Sequence, residues 1–262
     1  MANGASQAPG TIEARGAMLG DFEVMGAMPP GAVAAAIERD RPFFVARPGF
    51  HRKLIPLRRE ADGTIFSGGR YLFGTYDQAL DFVRWFRDEF RLDGKLFVER
   101  EWVKNFTRLP FHVLGAHDFA DVHDAQVVVR AQRWTLEGER GGMLLERWPA
   151  VRERAAAAGL ASVWLLFSDE RREAALITVG KRVGRRDPAA PDFASLAALE
   201  AQSSVAAEID REVWARRSFD RAGWVFTVWF PPTHAPLHLW PNSPPMPGLE
   251  PAETAQGRAT AK

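Results

Sequence analysis

Six histidines are the first residues with chemistry to offer: His51, His112, His117, His123, His234 and His238. The densest group is the run Gly115-Ala116-His117-Asp118-Phe119-Ala120-Asp121-Val122-His123-Asp124. An imidazole beside carboxylates can act as a general base that one carboxylate orients, or can ligate a divalent cation. The spacing matches no standard metal motif, and no metal is assigned. The same aspartates can equally cap turns in a polar loop. His112 lies five residues before His117 on an apparent strand, where period-two alternation puts the two on opposite faces. At least one of them can therefore point inward.

His51-Arg52-Lys53, with Arg58-Arg59, is the most basic short segment. It suits a carboxylate or phosphate on a ligand, or else is an exposed loop between strands. Aromatic residues are plentiful, with 9 Trp and 18 Phe against 2 Tyr. Flat apolar side chains suit apolar or aromatic ligands, though most of them simply fill cores. In Val127–Trp134, alternate positions Val128, Arg130, Gln132 and Trp134 share a face, and this mixed face is expected to look into a cavity. Trp164 and Trp229 also sit mid-strand. Gly68-Gly69-Arg70 lacks the Lys-Ser/Thr of a phosphate loop and reads as a bulge or a close approach of backbones. The serines show no nucleophile elbow. With no cysteine in the chain, disulfides, thiolate sites and Cys nucleophiles are excluded.

These residues need elements to hold them. Val127–Trp134 reads as a strand. Leu144, Trp148, Val151 and Ala155 recur at helical spacing up to Gly159, with Pro149 inside. Ala161–Phe167 and Ala174–Arg182 form a hairpin, Phe193–Ile209 a helix, and Gly223–Phe230 a last strand. The first half repeats this order less clearly: a strand at Asp21–Met28, a helix at Pro30–Arg39 and a strand at Phe43–Ala46. Ile65–Phe73 is a strand, and Thr75 caps a helix running to about Phe90. Lys95–Trp102 and Phe111–Ala116 are further strands.

Each half thus follows the β-α-β-β-α-β grammar of the ferredoxin-like unit, whose antiparallel sheet leaves one face to be covered. The fold class is α+β, with two tandem units that cover each other and enclose a cavity. The run Tyr71-Leu72-Phe73-Gly74-Thr75-Tyr76-Asp77-Gln78-Ala79-Leu80-Asp81-Phe82 resembles the strand-to-helix step of the dimeric α+β barrel superfamily. That group includes antibiotic-biosynthesis monooxygenases and chlorite-dismutase-type haem proteins. The resemblance implies a pseudo-dimeric barrel that handles an apolar or aromatic small molecule. The implied chemistry is that of a cofactor-independent oxygenase, cyclase or dehydratase of secondary metabolism. On that reading His117 is the base, Asp118 or Asp121 orients it, and Arg130 or Arg133 stabilises an anion. Trp134 and Trp164 form walls, and His112, Trp229 and His51 complete the substrate site. The alternatives are haem ligated by a histidine such as His112 or His117, and a non-catalytic binding protein.

At 262 residues the chain can bury a sizeable core. The expected organisation is a disordered start at 1–10, units at 11–122 and 123–240, and a Pro- and Ala-rich tail at 241–262. A net charge of +1 without charge blocks points to neither nucleic acid nor a membrane surface as partner. No segment has the pattern of a secretory signal or a membrane span, so the cytoplasm is the expected location. Sheet edges would allow a homodimer.

Overall fold

The computed structural model describes residues 9–25, 30–59, 64–120, 122, 127–181 and 196–229. Asp121, His123, His234 and His238 lie outside the described residues, as do the side chains of Trp224–Thr227. The first half contains β1 (Gly16–Val24), α1 (Pro30–Val45), β2 (Phe50–Arg59), β3 (Ile65–Phe73), α2 (Tyr76–Asp88) and β4 (Leu109–Asp118). The second contains β5 (Val127–Leu136), α3 (Gly141–Ala157), β6 (Ser162–Ser168), β7 (Glu173–Lys181), α4 (Leu196–Asp210) and β8 (Ala215–Trp229).

These strands pair antiparallel in the order β4-β1-β3-β2-β8-β5-β7-β6, and β6 pairs again with β4. The sheet therefore closes into an eight-stranded barrel, which removes the edges that an open sheet would expose. Two seams join the halves, β2 with β8 and β4 with β6.

Most strand positions are buried on both faces, though His112 of β4 and Arg216, Arg217 and Ser218 of β8 reach solvent. The inward face contributes Ala17, Leu19, Leu54, Leu72, Phe111, Val129, Ala131, Trp164, Ile177 and Val228 to one apolar cluster. These side chains are 2% exposed or less, so the lumen is packed with side chains. This corrects the expectation of guest space between the two sheets. The outward faces pack under the helices, α1 and α2 chiefly over the first half and α3 and α4 chiefly over the second, while β4 also meets Trp148 of α3 and β8 carries Trp229 to Phe44 of α1.

Local chemistry explains most elements. Thr75 accepts the Gln78 amide while the Gln78 side chain accepts the Thr75 amide, so α2 starts on a full capping box. Ala79, Phe82 and Phe86 are its buried stripe. Gly159, at φ +68°, ends the connection after α3 as its spacing predicts. Three expectations are corrected. Phe43–Ala46, β-rich in composition, is largely the last turn of α1, because Phe44 docks among Phe82, Trp85, Phe86 and Phe90. Lys95–Trp102 is mainly a short strand and a 3-10 turn (Phe97–Glu99). The basic segment 51–53 is strand, part of β2. At Gly68 a Cβ would lie 2.1 Å from the Gly20 carbonyl oxygen, which confirms a close approach of backbones.

Candidate functional site

In β2, His51 is the extra residue of a bulge: Phe50 opposes Phe73 and Arg52 opposes Leu72. Beyond it the strand alternates. Arg52 points into the lumen, where it forms a two-point ion pair with Asp118 at 2.7 and 3.0 Å. Lys53 points the other way, beneath α1.

Lys53 lies in a row set by strand register. It opposes Trp229 of β8 on one side and Tyr71 of β3 on the other. Its Nζ is 3.8 Å from the centre of the Trp229 ring, 4.6 Å from that of Phe44 and 4.9 Å from that of Tyr71. Among the described residues it has no hydrogen-bonded carboxylate. Burial pushes the amine down to about 7, against partial opposition from Asp40 and Glu38. Ring faces favour an ammonium, yet three of them do not replace its hydration.

Around this amine stand further ionisable groups. Asp40 of α1 pairs with Arg100 at 2.8 and 2.9 Å, and both are buried. Burial nevertheless raises the Asp40 carboxyl above its usual range. Burial raises the Tyr71 phenol well above 10, helped by the Asp40 charge. Its ring lies along its own strand over Gly69, where a Cβ would come within 2.1 Å of it. Arg108 stacks 4.3 Å over Phe106, and its Nε and Nη2 are buried without a hydrogen-bond partner among the described residues. A cavity of about 10 Å³ is lined by Asp40, Phe44, Lys53, Gly69, Tyr71 and Phe106 among others, with Arg100 and Arg108 behind that lining. Its volume is room for one water molecule. The arrangement combines a poised amine, spare guanidinium donors and aromatic walls. Once local opening of the packing admits a flat apolar molecule, the amine can take a proton from it.

The residues singled out by sequence are dispersed. Lys53 of the basic segment and Trp229 join this cluster, the Trp229 Nε1 donating to Glu38 at 3.0 Å. His117 and Asp118 face opposite sides of β4, so Asp118 does not orient the imidazole. His117 lies beside Phe119, and burial with the Arg152 charge holds it below its usual value. His112 is exposed and stacks on Tyr76 at 3.6 Å. Trp164 is in the lumen, its Nε1 donating to Ser162. Arg130 and Trp134 do share a face, but it looks at α4 rather than into a cavity. Arg130 holds Asp220, the Leu199 carbonyl and Ser203, and Trp134 donates to Asp210. Arg133, on the opposite face, stacks 4.4 Å over Phe219 near Glu173. Asp40, Tyr71, Arg100 and Arg108 were missed. Only the rarity of tyrosine and of lysine in an Arg-rich chain could have marked Tyr71 and Lys53.

A haem seat would need an axial donor aimed into an apolar cavity wide enough for the macrocycle. His51, His112 and His117 are not among the residues lining this cavity. The residues here do not fit that group. No cluster of metal-binding side chains occurs among the described residues.

No protein-family model matches the chain, and no curated protein matches it. Solved structures do. A candidate monooxygenase from Fusobacterium nucleatum superposes with a TM-score of 0.57 at 13% identity, covering 84% of this chain and 96% of that one. An anthrone oxidase-like protein superposes at 0.51 with 11% identity, covering 84% and 94%. The fold is therefore one that monooxygenase-like proteins share, as the resemblance implied. At these identities the likeness speaks to fold alone.

Proposed function

We propose that the chain is a small-molecule enzyme of secondary metabolism that removes a proton from an apolar or aromatic substrate in the pocket beneath α1 and α2. One observation carries this reading: Lys53 is buried among Trp229, Phe44 and Tyr71, with its amine poised near neutrality. A base works best when its proton affinity matches the working pH. Arg108, whose guanidinium stacks on two rings of the cavity wall, Phe106 and Phe86, would turn a donor to the enolate or phenolate that forms. Proton removal is the step that oxygenase, cyclase and dehydratase chemistry have in common. Arg100 holds Asp40 in place beside it.

Anthrone is a suitable probe. Its methylene carbon gives a proton to a base, the anion adds dioxygen, and the hydroperoxide loses water to leave the quinone. Quinone formation, followed by absorbance, is expected to exceed the buffer rate and to rise as pH passes about 7. Lys53→Met should lose at least ~10²-fold, the lower end for a general base. Equal rates for the parent and this variant would remove Lys53 from the mechanism. An absorbance scan of the purified protein near the Soret region tests the haem alternative directly.

A further inference from the structure

We propose that Lys53 is also a nucleophile, and that the pocket takes carbonyl compounds, aldehydes or ketones on an apolar or aromatic frame, as imines on its Nζ. This rests on the reading of the pocket given above and specifies the class of molecule it takes. Five lysines occur in the chain: Lys53, Lys95, Lys104, Lys181 and Lys262. The other large cations buried in the first half, Arg52, Arg70 and Arg100, are arginines held by Asp118, Asp21 and Asp40. A guanidinium cannot give up its proton in a protein, whereas an amine can. Lys53 is the amine placed where no described carboxylate bonds it and where three ring faces line its approach. A desolvated lysine without a bonded counter-charge is the ordinary setting for imine chemistry.

The step balances without an oxidant. The Nζ lone pair forms a bond to the carbonyl carbon while the C=O π pair moves to oxygen, which takes a proton, and the nitrogen loses one. The carbinolamine then expels its hydroxyl as water, the nitrogen lone pair forming C=N. The two protons the nitrogen gives up are the two that leave in the water, and Asp40, which lines the same cavity, is placed to relay them. The charged or titratable groups acting on Lys53 are Asp40, Glu38 and Arg100, with the Tyr71 phenol facing it. The cavity has room for one water only, so a carbonyl group reaches Nζ as local opening of the packing admits it, a process within the range of native-state fluctuations.

The test uses the full chain, benzaldehyde and sodium borohydride at pH 7.5, with peptide mapping by mass spectrometry. Reduction of an imine would leave a benzyl group on the lysine that formed it. We expect Lys53 to be modified at least ~10-fold faster than the exposed Lys95 and Lys104, following its larger unprotonated fraction. Urea-unfolded protein should lose that preference, and Lys53→Arg should lose the fast modification while leaving Lys95 and Lys104 unchanged. Modification of Lys53 no faster than of the exposed lysines, or none at Lys53, overturns the inference. If Lys53 stays unmodified while Lys53→Met still abolishes anthrone oxidation, the imine reading falls and the base reading stands. If Lys53 is modified and anthrone oxidation is indifferent to Lys53→Met, the reverse holds.

Discussion

Lys53 makes the protein less stable than it need be, and the sign of the effect with pH can be worked out. Its proton affinity falls from 10.5 to about 7 on folding. Between these values the unfolded chain holds one proton more than the native one, so stability from this group rises with pH across that window. Below about 7 both states are protonated and the full cost of a buried ammonium remains. Lys53→Met should therefore raise the melting temperature at pH 6, and the gain should shrink towards pH 10.5. Melting curves of both proteins across this range check it; a gain independent of pH would mean that the amine is not desolvated. The sequence did not disclose this residue, because a lysine in a basic triplet looks the same whether its strand is covered or bare. Searching by histidine led elsewhere for the same reason. Poise here comes from burial and register, which no local motif encodes.

At the scale of elements, β2 and β4 are the outer strands of the first-half sheet, and Arg52–Asp118 ties them together across the lumen. Removing Asp118 takes two charge-assisted hydrogen bonds from the buried Arg52, so Asp118→Ala should cost ~3–5 kcal/mol. The exposed pair Arg84–Asp81 on α2 should contribute less than ~1 kcal/mol by the same measure. Urea midpoints for Asp118→Ala and Asp81→Ala separate the two cases. In α3's partner strand, Gly115→Ala would put a methyl 2.1 Å from the Trp148 indole. The indole must then move, at a cost of ~1–3 kcal/mol, to be read from the same titrations. Much at this scale was legible. Thr75 announced α2, Gly159 ended the segment after α3, and alternation marked β5 with Arg130 and Trp134 correctly on one side. What alternation could not say was which side looked at helices, because both faces of a barrel strand are mostly buried. Phe44 shows the converse limit: its neighbours favour a strand locally, and ring packing with α2 holds them in a helix.

For the whole molecule, closure makes the halves depend on each other. Neither half-sheet covers its own inward face; Leu54 and Phe111 of one pack with Val129 and Trp164 of the other. We expect a single unfolding transition, with tryptophan fluorescence and far-ultraviolet circular dichroism coincident on urea titration. Two resolved transitions would show that the seams are weaker than the packing suggests. The order of elements was readable from the chain, since β-α-β-β-α-β follows from hydrophobic period and turn residues. The packed lumen was not, because filling depends on how volumes meet across strands distant in sequence.

Trp229 opposes Lys53 although 176 residues separate them, by subtraction of their numbers. The chemistry assigned to the N-terminal half is thus finished only by the last of the described strands. A chain cut ahead of position 229 would keep Lys53 but lose the ring face that lies 3.8 Å from its amine.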